Sequence, residues 1–459
     1  MEPSNVFVRW RPLPPTQLDT PGINRVHEKQ QHHHRSRTSI SLTSPGDRAW
    51  KSSPVFNQVF GPTDDNKAVF NAVVAPILPR VLQGGDSCSF FAYGHSGSGK
   101  SHTILGYDFE DPDSFGLSVA AARCLLEELK GFNTGNARDD PSSAGGLQLG
   151  IGLRMYELRG NAAFDLLNDH CKCYIRQGYD GQTHIRGETE ILDGGRVRVR
   201  PIVTKPCWGF DDFRRELLRG LQLRASGVST IHEESSRTHA VLELEIVNRA
   251  LLDAREAVVE RQSELVPVAK RATDVYIEEQ MKGLVRTEYG EFVSNPEYQI
   301  DQRRIDEAEE KKAEFEKYVK DAEDRVDGVF RLCGQKCLGG KLVFVDLAGA
   351  EYYHGKSLSS RDGSRPLPSP QEQREGRQIN TDLLALKEVI RARASKKTRV
   401  PYRSSPLTMV LRGHFEPRGS KDSYSAVILT ASPAADQYAA TANTLKYGDL
   451  VGMASGAKK

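Results

Sequence analysis

Cys88-Ser89-Phe90-Phe91-Ala92-Tyr93, running into Gly94-His95-Ser96-Gly97-Ser98-Gly99-Lys100-Ser101, decides the fold. The first six residues read as a short buried strand, and the next eight fit G-x-x-x-x-G-K-[ST] at the opening of a helix. Glycines there let successive backbone N–H groups turn inward around phosphates. The helix N-terminus adds positive potential, Lys100 neutralises β/γ oxygens and Ser101 offers a hydroxyl to Mg²⁺. A plain surface glycine turn is the alternative, and the strand before and helix after argue against it.

Working outward, such a site needs a second strand ending in an acid for the magnesium shell. Leu342-Val343-Phe344-Val345-Asp346 supplies it. Leu347-Ala348-Gly349 follows, and a glycine three residues past the acid is placed to offer its N–H to a γ-phosphate. Ser235-Ser236-Arg237-Thr238-His239 lies just before an apolar strand at Ala240 to Val247. Two hydroxyls beside a guanidinium suit Mg²⁺ and a γ-phosphate, although alone they read as a polar turn.

The remaining chain frames these pieces. Its 459 residues are 38% hydrophobic and 27% charged, and no apolar run approaches the roughly 18 to 20 residues that span a bilayer. The N-terminal residues lack the apolar core of a secretion signal, and the 7 cysteines form no framework, so a reducing, intracellular compartment is expected. Cys171 with Cys173 and Cys333 with Cys337 read as ordinary thiols. Helical spacing runs from Asp65 to Leu82 and from Phe213 to Leu223; strands are expected at Val6 to Trp10, Gly152 to Leu158 and Thr183 to Val203. Gln17 to Ser53 reads as a loose polar stretch with nothing beyond short strands, its triple histidine (His32, His33, His34) in a solvated loop.

Charge is uneven. Leu251 to Gln335 holds 21 acids and 14 bases, a balance of −7 inside a chain of net +2, so a basic body carries an acidic insert. Leu251, Ala254, Val258, Leu265 and Val268, and then Ile305, Ala308, Phe315, Val319 and Val326, follow a three-four spacing on either side of a turn at Tyr289 to Pro296. An antiparallel helical hairpin with coiled-coil character is expected, kinked or split at Pro267.

Taken in order, these segments resemble the kinesin motor domain. Arg9-Trp10-Arg11-Pro12 is similar to the adenine-side R-x-R-P; Phe91 through Thr103 to the P-loop; Ser235 to His239 to switch I; Asp346-Leu347-Ala348-Gly349-Ala350-Glu351 to switch II. Ile379-Asn380 through Leu383, and Val400-Pro401-Tyr402-Arg403 with Leu407-Thr408, resemble the segments facing tubulin. Tyr156-Glu157-Leu158, Phe164 to Asn168, Leu384 to Glu388 and Asn443 to Tyr447 lean toward the internal-motor, microtubule-depolymerising class.

The resemblance implies an α/β fold of the kinesin-type P-loop NTPases: a central, mostly parallel twisted sheet with helices on both faces, plus the helical insertion. It divides the chain into motor residues 1–248, insertion 249–337 and motor residues 338–459. It implies ATP and Mg²⁺ as cofactors, microtubule-stimulated ATP hydrolysis, and a place on microtubules in the cytoplasm. Gly94, His95, Ser96, Gly97, Ser98, Gly99, Lys100, Ser101 and Ser235 would cradle nucleotide. Arg9, Arg11, Pro12, Tyr93 and His102 would lie on its adenine side. Ser101, Ser236 and Asp346 would serve Mg²⁺, and Gly349 would sense the γ-phosphate. Arg237 and Glu351 would close as an ion pair that orients the attacking water. Arg391, Arg393, Lys396, Lys397, Arg399 and Arg403 would meet tubulin's acidic surface. Neither nucleic acid nor membrane is an expected partner, and no stalk for dimerisation is evident.

Four departures from the family pattern accompany these matches. His232 stands where switch I begins with Asn, Pro406 where tubulin-facing Lys is usual, and Ala350 where switch II has Ser or Asn; a Pro- and Ser-rich connector follows at Tyr352 to Arg377. His232 and Pro406 motivate a second expectation, a microtubule tether with weak or no ATPase activity. A third, an unrelated P-loop kinase or GTPase, lacks the [NT]-K-x-D guanine motif. The two strands flanking the insert, if antiparallel, root it at the sheet end away from the nucleotide, about 20 Å from the phosphates, as a projecting arm.

Overall fold

The computed structural model describes residues 5–13, 22–32, 35–139, 148–178, 182–226, 237–286, 289, 291–350, 370–416 and 423–456. Its centre is the strand Ser87–Tyr93, buried at every position. Cys88, Phe90 and Ala92 enter one core and Phe91 and Tyr93 the other. Lys341–Asp346 alternates likewise, Leu342 and Phe344 to one side and Val343 and Val345 to the other. Strands covered on both faces read as continuous apolar runs, which is why these two were legible.

Across the sheet the order is Val197–Pro201, Thr183–Ile191, Cys171–Gln177, Ala162–Asp165, Leu149–Arg159, His239–Asn248, Lys341–Asp346, Ser87–Tyr93, Ser423–Ala431, Asn5–Trp10 and Gln58–Phe60. Pairing is parallel from Lys341–Asp346 to Gln58–Phe60 and antiparallel through the other half. The sheet is therefore mixed, and the expected parallel character belongs to the half that carries the phosphate loop. Helices Asn66–Val73, Leu78–Gly84, Leu117–Asp139 and Phe210–Ser226 flank one face; Pro370–Ala394, Pro406–Phe415 and Tyr438–Gly456 flank the other.

Three local expectations change. The helix expected over Asp65 to Leu82 divides at a 3₁₀ turn, Ala75–Ile77, because Pro76 and Pro79 each lack the amide a continuous helix needs. The polar stretch after the first strand contains a nine-by-nine-residue hairpin, Asn24–His32 with Arg35–Thr43. Ile40 and Leu42 enter the core from it, and Trp10 receives Arg25 and His27 over its ring. Thr183 to Val203 is two antiparallel strands joined at Asp193–Gly195. His33 and His34 lie outside the described residues.

The insertion is a helical hairpin, Arg249–Lys282 and Gln302–Leu332. Contacts join the root of one helix to the end of the other: Asn248 reaches Cys333, Arg261 lies over the Tyr318 ring, and Arg304 pairs with Glu278 and Glu279. Pro267 does not split the first helix, which is continuous through it. The turn of the neighbouring hairpin packs there, a Cβ on Gly195 lying 3.6 Å from Pro267 Cβ. Arg196 and Arg198 pair with Glu260 and so brace the inner half of the arm.

His239–Asn248 and Lys341–Asp346 are antiparallel, with Ala240 opposite Asp346. Asn248 is thus at the far end of its strand from Asp346, and the arm leaves from that end. Buried Asn248 caps the arm's first helix, its side-chain oxygen accepting from Leu251 N at 2.8 Å. Asn248→Ala should cost about 1 kcal/mol of stability in chemical denaturation, the usual loss of an N-cap.

Candidate functional site

The phosphate loop follows from the strand before it and the short helix Lys100–Ile104 after it. Gly97 and Gly99 take φ of +72° and +102°, values that side-chain-bearing residues rarely adopt. Lys100 is buried, its Nζ donating to the carbonyls of Gly94 at 3.1 Å and His95 at 2.9 Å. Ser98 Oγ lies 2.6 Å from Thr430 Oγ1, tying the loop to the neighbouring parallel strand.

Asp346 arrives beside the loop because its strand is parallel to Ser87–Tyr93, pairing Asp346 with Ala92. Ser101 Oγ donates to Asp346 Oδ2 at 2.7 Å. The other oxygen, Oδ1, is buried with no hydrogen-bond partner. A buried oxygen left so, beside a P-loop hydroxyl, fits a side chain that would act on the water shell of Mg²⁺. Gly349 closes on the loop from switch II: a Cβ there would stand 2.9 Å from Ser96 N, and Ala350 N donates to Gly94 O at 3.2 Å. Lys100, Ser101, Asp346, Gly349 and Gly94 to Gly99 therefore converge.

The adenine-side set divides. Arg11 lies beside Gly99, Pro12 is exposed, and the His102 ring meets Tyr107 at a tilt with centroids 5.3 Å apart. Arg9 reaches the same short helix as His102 through Thr103, whereas Tyr93 does not join them. The Arg9 guanidinium is buried and bonded to Asn66 Oδ1 at 2.5 Å and Thr103 Oγ1 at 2.9 Å, and burial lowers its pKa to about 10 despite Asp65 and Asp64. The Tyr93 ring points into the opposite core, stacked 3.8 Å from Tyr447.

Ser235, Ser236, His232 and Glu351 lie outside the described residues, as does most of the connector Tyr352 to Arg377. Arg237, expected to meet Glu351, has Glu375 at 3.9 Å. His239 joins three segments: its Nδ1 accepts from Ala348 N at 3.1 Å, and its Nε2 faces Asp382 at 3.7 Å.

Two residues were missed. Arg224, at the end of Phe210–Ser226, sets its guanidinium 3.4 Å from Asp346 and 3.8 Å from Glu157, and Thr238 Oγ1 donates to Glu157 at 3.0 Å. A lone Arg in a charged helix gives no sequence signal. Glu157 did give one, the single acid of a largely apolar strand.

On the expected tubulin face, Lys396, Lys397, Arg399 and Arg403 are exposed. Arg393 instead turns inward, donating to Phe415 O at 2.9 Å and lying over the Phe415 ring. Pro406 is the first residue of Pro406–Phe415, behind a Ser405–Thr408 capping box. That position's amide has no helical partner, so proline costs no hydrogen bond there.

His95 is buried, and its pKa is depressed to about 4, first by burial and then by Lys100 and Arg11. The unfolded chain binds that proton more readily, so stability should fall as pH drops from about 6.5 to 4, by up to about 3 kcal/mol. His95→Gln should flatten that part of a stability-against-pH curve from denaturant titrations.

Strand, phosphate loop, acid-ended second strand and closing glycine define a P-loop nucleotide-binding domain. The kinesin motor domain family model matches residues 9–270 and 313–453, and the chain belongs to that family. The chain is 24% identical to kinesin-like protein KIF24 of Mus musculus over 98% of its own length and 24% of the relative's. It is 26% identical to kinesin-like protein KIN-13A of Oryza sativa subsp. japonica over 86% of its length and 34% of the relative's. It thus spans about a quarter to a third of these curated relatives. The motor domain of the Kar3-like kinesin from Ashbya gossypii matches at TM-score 0.55 and 18% identity, covering 98% of this chain and 99% of that one. A structure of kinesin motor ATPase mutants matches at TM-score 0.57 and 16% identity, covering 98% of each chain. No described helix is long and apolar enough to cross a membrane.

Proposed function

We propose that this chain hydrolyses ATP and couples hydrolysis to a grip on microtubules, acting at microtubule ends. The observation that carries the proposal is the Ser101–Asp346 contact at 2.7 Å with Asp346 Oδ1 buried and unpaired, on the strand parallel to the one that feeds the phosphate loop. Bound Mg²⁺ and ATP supply the electrophilic phosphorus and the neutralising charge.

The chain's residues then have distinct tasks. Lys100 Nζ would take phosphate oxygens in place of its loop carbonyls, and Ser101, with Ser236, would offer a hydroxyl to the metal. Asp346 would serve the metal's water shell and is itself held by Arg224. Gly349 stands close enough to the loop for its N–H to report the terminal phosphate, and Arg237 with Glu351 would hold the attacking water. His239 links that report to the helix Pro370–Ala394 through Ala348 and Asp382. Exposed Lys396, Lys397, Arg399 and Arg403 would meet the acidic filament. Action at ends is supported by the sequence motifs around Tyr156, Phe164, Leu384 and Asn443.

Steady-state ATP turnover measured with and without microtubules tests the reading. Strong stimulation is expected; filament binding with no stimulation would instead establish the tether. Pro406, one of the tether's two motivations, is a favourable helix start here.

A further inference from the structure

The outer end of the arm is built unlike the rest of the surface. Residues 271–312 fall between the two segments matched by the kinesin family model. They carry a two-stranded sheet, Leu284–Arg286 with Phe292–Ser294, which among the described residues pairs with no other strand. All six of its residues are exposed. Ile277, Met281, Val285, Phe292 and Val293 are each 43% to 59% exposed, and Tyr289 at the turn is 94% exposed.

The base of this crown is tied to the helix ends. Glu279, 1% exposed, takes an ion pair from Arg304 at 2.6 Å, another from Lys282 at 3.0 Å, and the hydroxyl of Tyr298. Asn295 N donates to Gly283 O at 2.8 Å, closing the sheet onto the helix end. An isolated two-stranded sheet is at best marginally stable in water, and an uncovered edge is a template for a further strand.

We infer that the crown is a docking site for an extended, basic and apolar segment of a partner protein, added as a third strand. Backbone pairing along the free edge gives the affinity. Alternate apolar side chains of the partner meet Val285 and Val293 on one face or Leu284 and Phe292 on the other, and its Lys and Arg meet the acidic arm. Charge selects this occupant, since the insert carries −7, with 21 acids against 14 bases from Leu251 to Gln335. Like charge disfavours a second crown, an anionic membrane and the acidic filament.

An array of random peptides of about 15 residues, probed with the labelled full chain, tests this. Retained peptides should be enriched in alternating apolar and Lys/Arg residues. A Val285→Ser, Phe292→Ser double variant should lose at least tenfold of their binding while co-sedimenting with microtubules like the parent. The inference is overturned by retention of acidic peptides, by no retention, by equal retention on the variant, or by crown-dependent self-association in analytical ultracentrifugation.

Discussion

Lys100→Ala should lower kcat/KM for ATP by about 10²- to 10³-fold, the range found when one preorganised donor to developing negative charge is removed. Lys100 is suited to that role because its ammonium is buried and already aimed over the loop, 3.1 and 2.9 Å from the carbonyls of Gly94 and His95. Little reorganisation is needed to turn it toward phosphate. The two hydrogen bonds lost lie within the loop itself. Circular dichroism alongside a coupled ATPase assay separates lost turnover from lost structure. Turnover within threefold of the parent, with helix content unchanged, would refute phosphate binding at this loop.

Gly349→Ala should leave ATP binding within a few-fold of the parent and lower turnover by about a hundredfold. An added Cβ would lie 2.9 Å from Ser96 N and 3.1 Å from Ser96 Cα, both backbone atoms of the phosphate loop. Nothing flexible lies in its way, so either switch II or the loop must shift. A misplacement near 1 Å at reacting groups costs about 10²-fold. Fluorescent-nucleotide titration combined with single-turnover hydrolysis distinguishes this from Lys100→Ala, which should impair both. Equal effects on binding and turnover would mean that Gly349 merely supports the loop.

The phosphate site was legible because it is local. Lys100 and Ser101 sit in one motif, and Asp346 ends a strand whose apolar run announces its burial. Their convergence depends on one parallel pairing, Asp346 beside Ala92, that the order of the motifs makes reasonable. Tyr93 departs from the expected cluster for the opposite reason. Adjacency in a motif says which residues are near the cleft, but the alternation of a strand decides which face each one takes. Tyr93 follows Phe91 into the far core, where Tyr447 meets it. Arg224 could not be found at all, because its partners Asp346 and Glu157 come from distant strands. The hairpin Asn24–His32 with Arg35–Thr43 was hidden by composition: most of its side chains are polar, and only Ile40 and Leu42 pay for its place in the fold.

The rooting of the arm has a mechanical corollary. Its 34-residue first helix is about 50 Å long at 1.5 Å per residue, whereas the ten-residue strand His239–Asn248 spans about 33 Å. Strand and arm join at Asn248, so if the two turn about that point as one rigid piece, a tilt that moves the far end of the strand by a given amount would sweep the crown about one and a half times as far. Dyes placed at Tyr289 and on the filament should therefore register nucleotide turnover as an amplified swing.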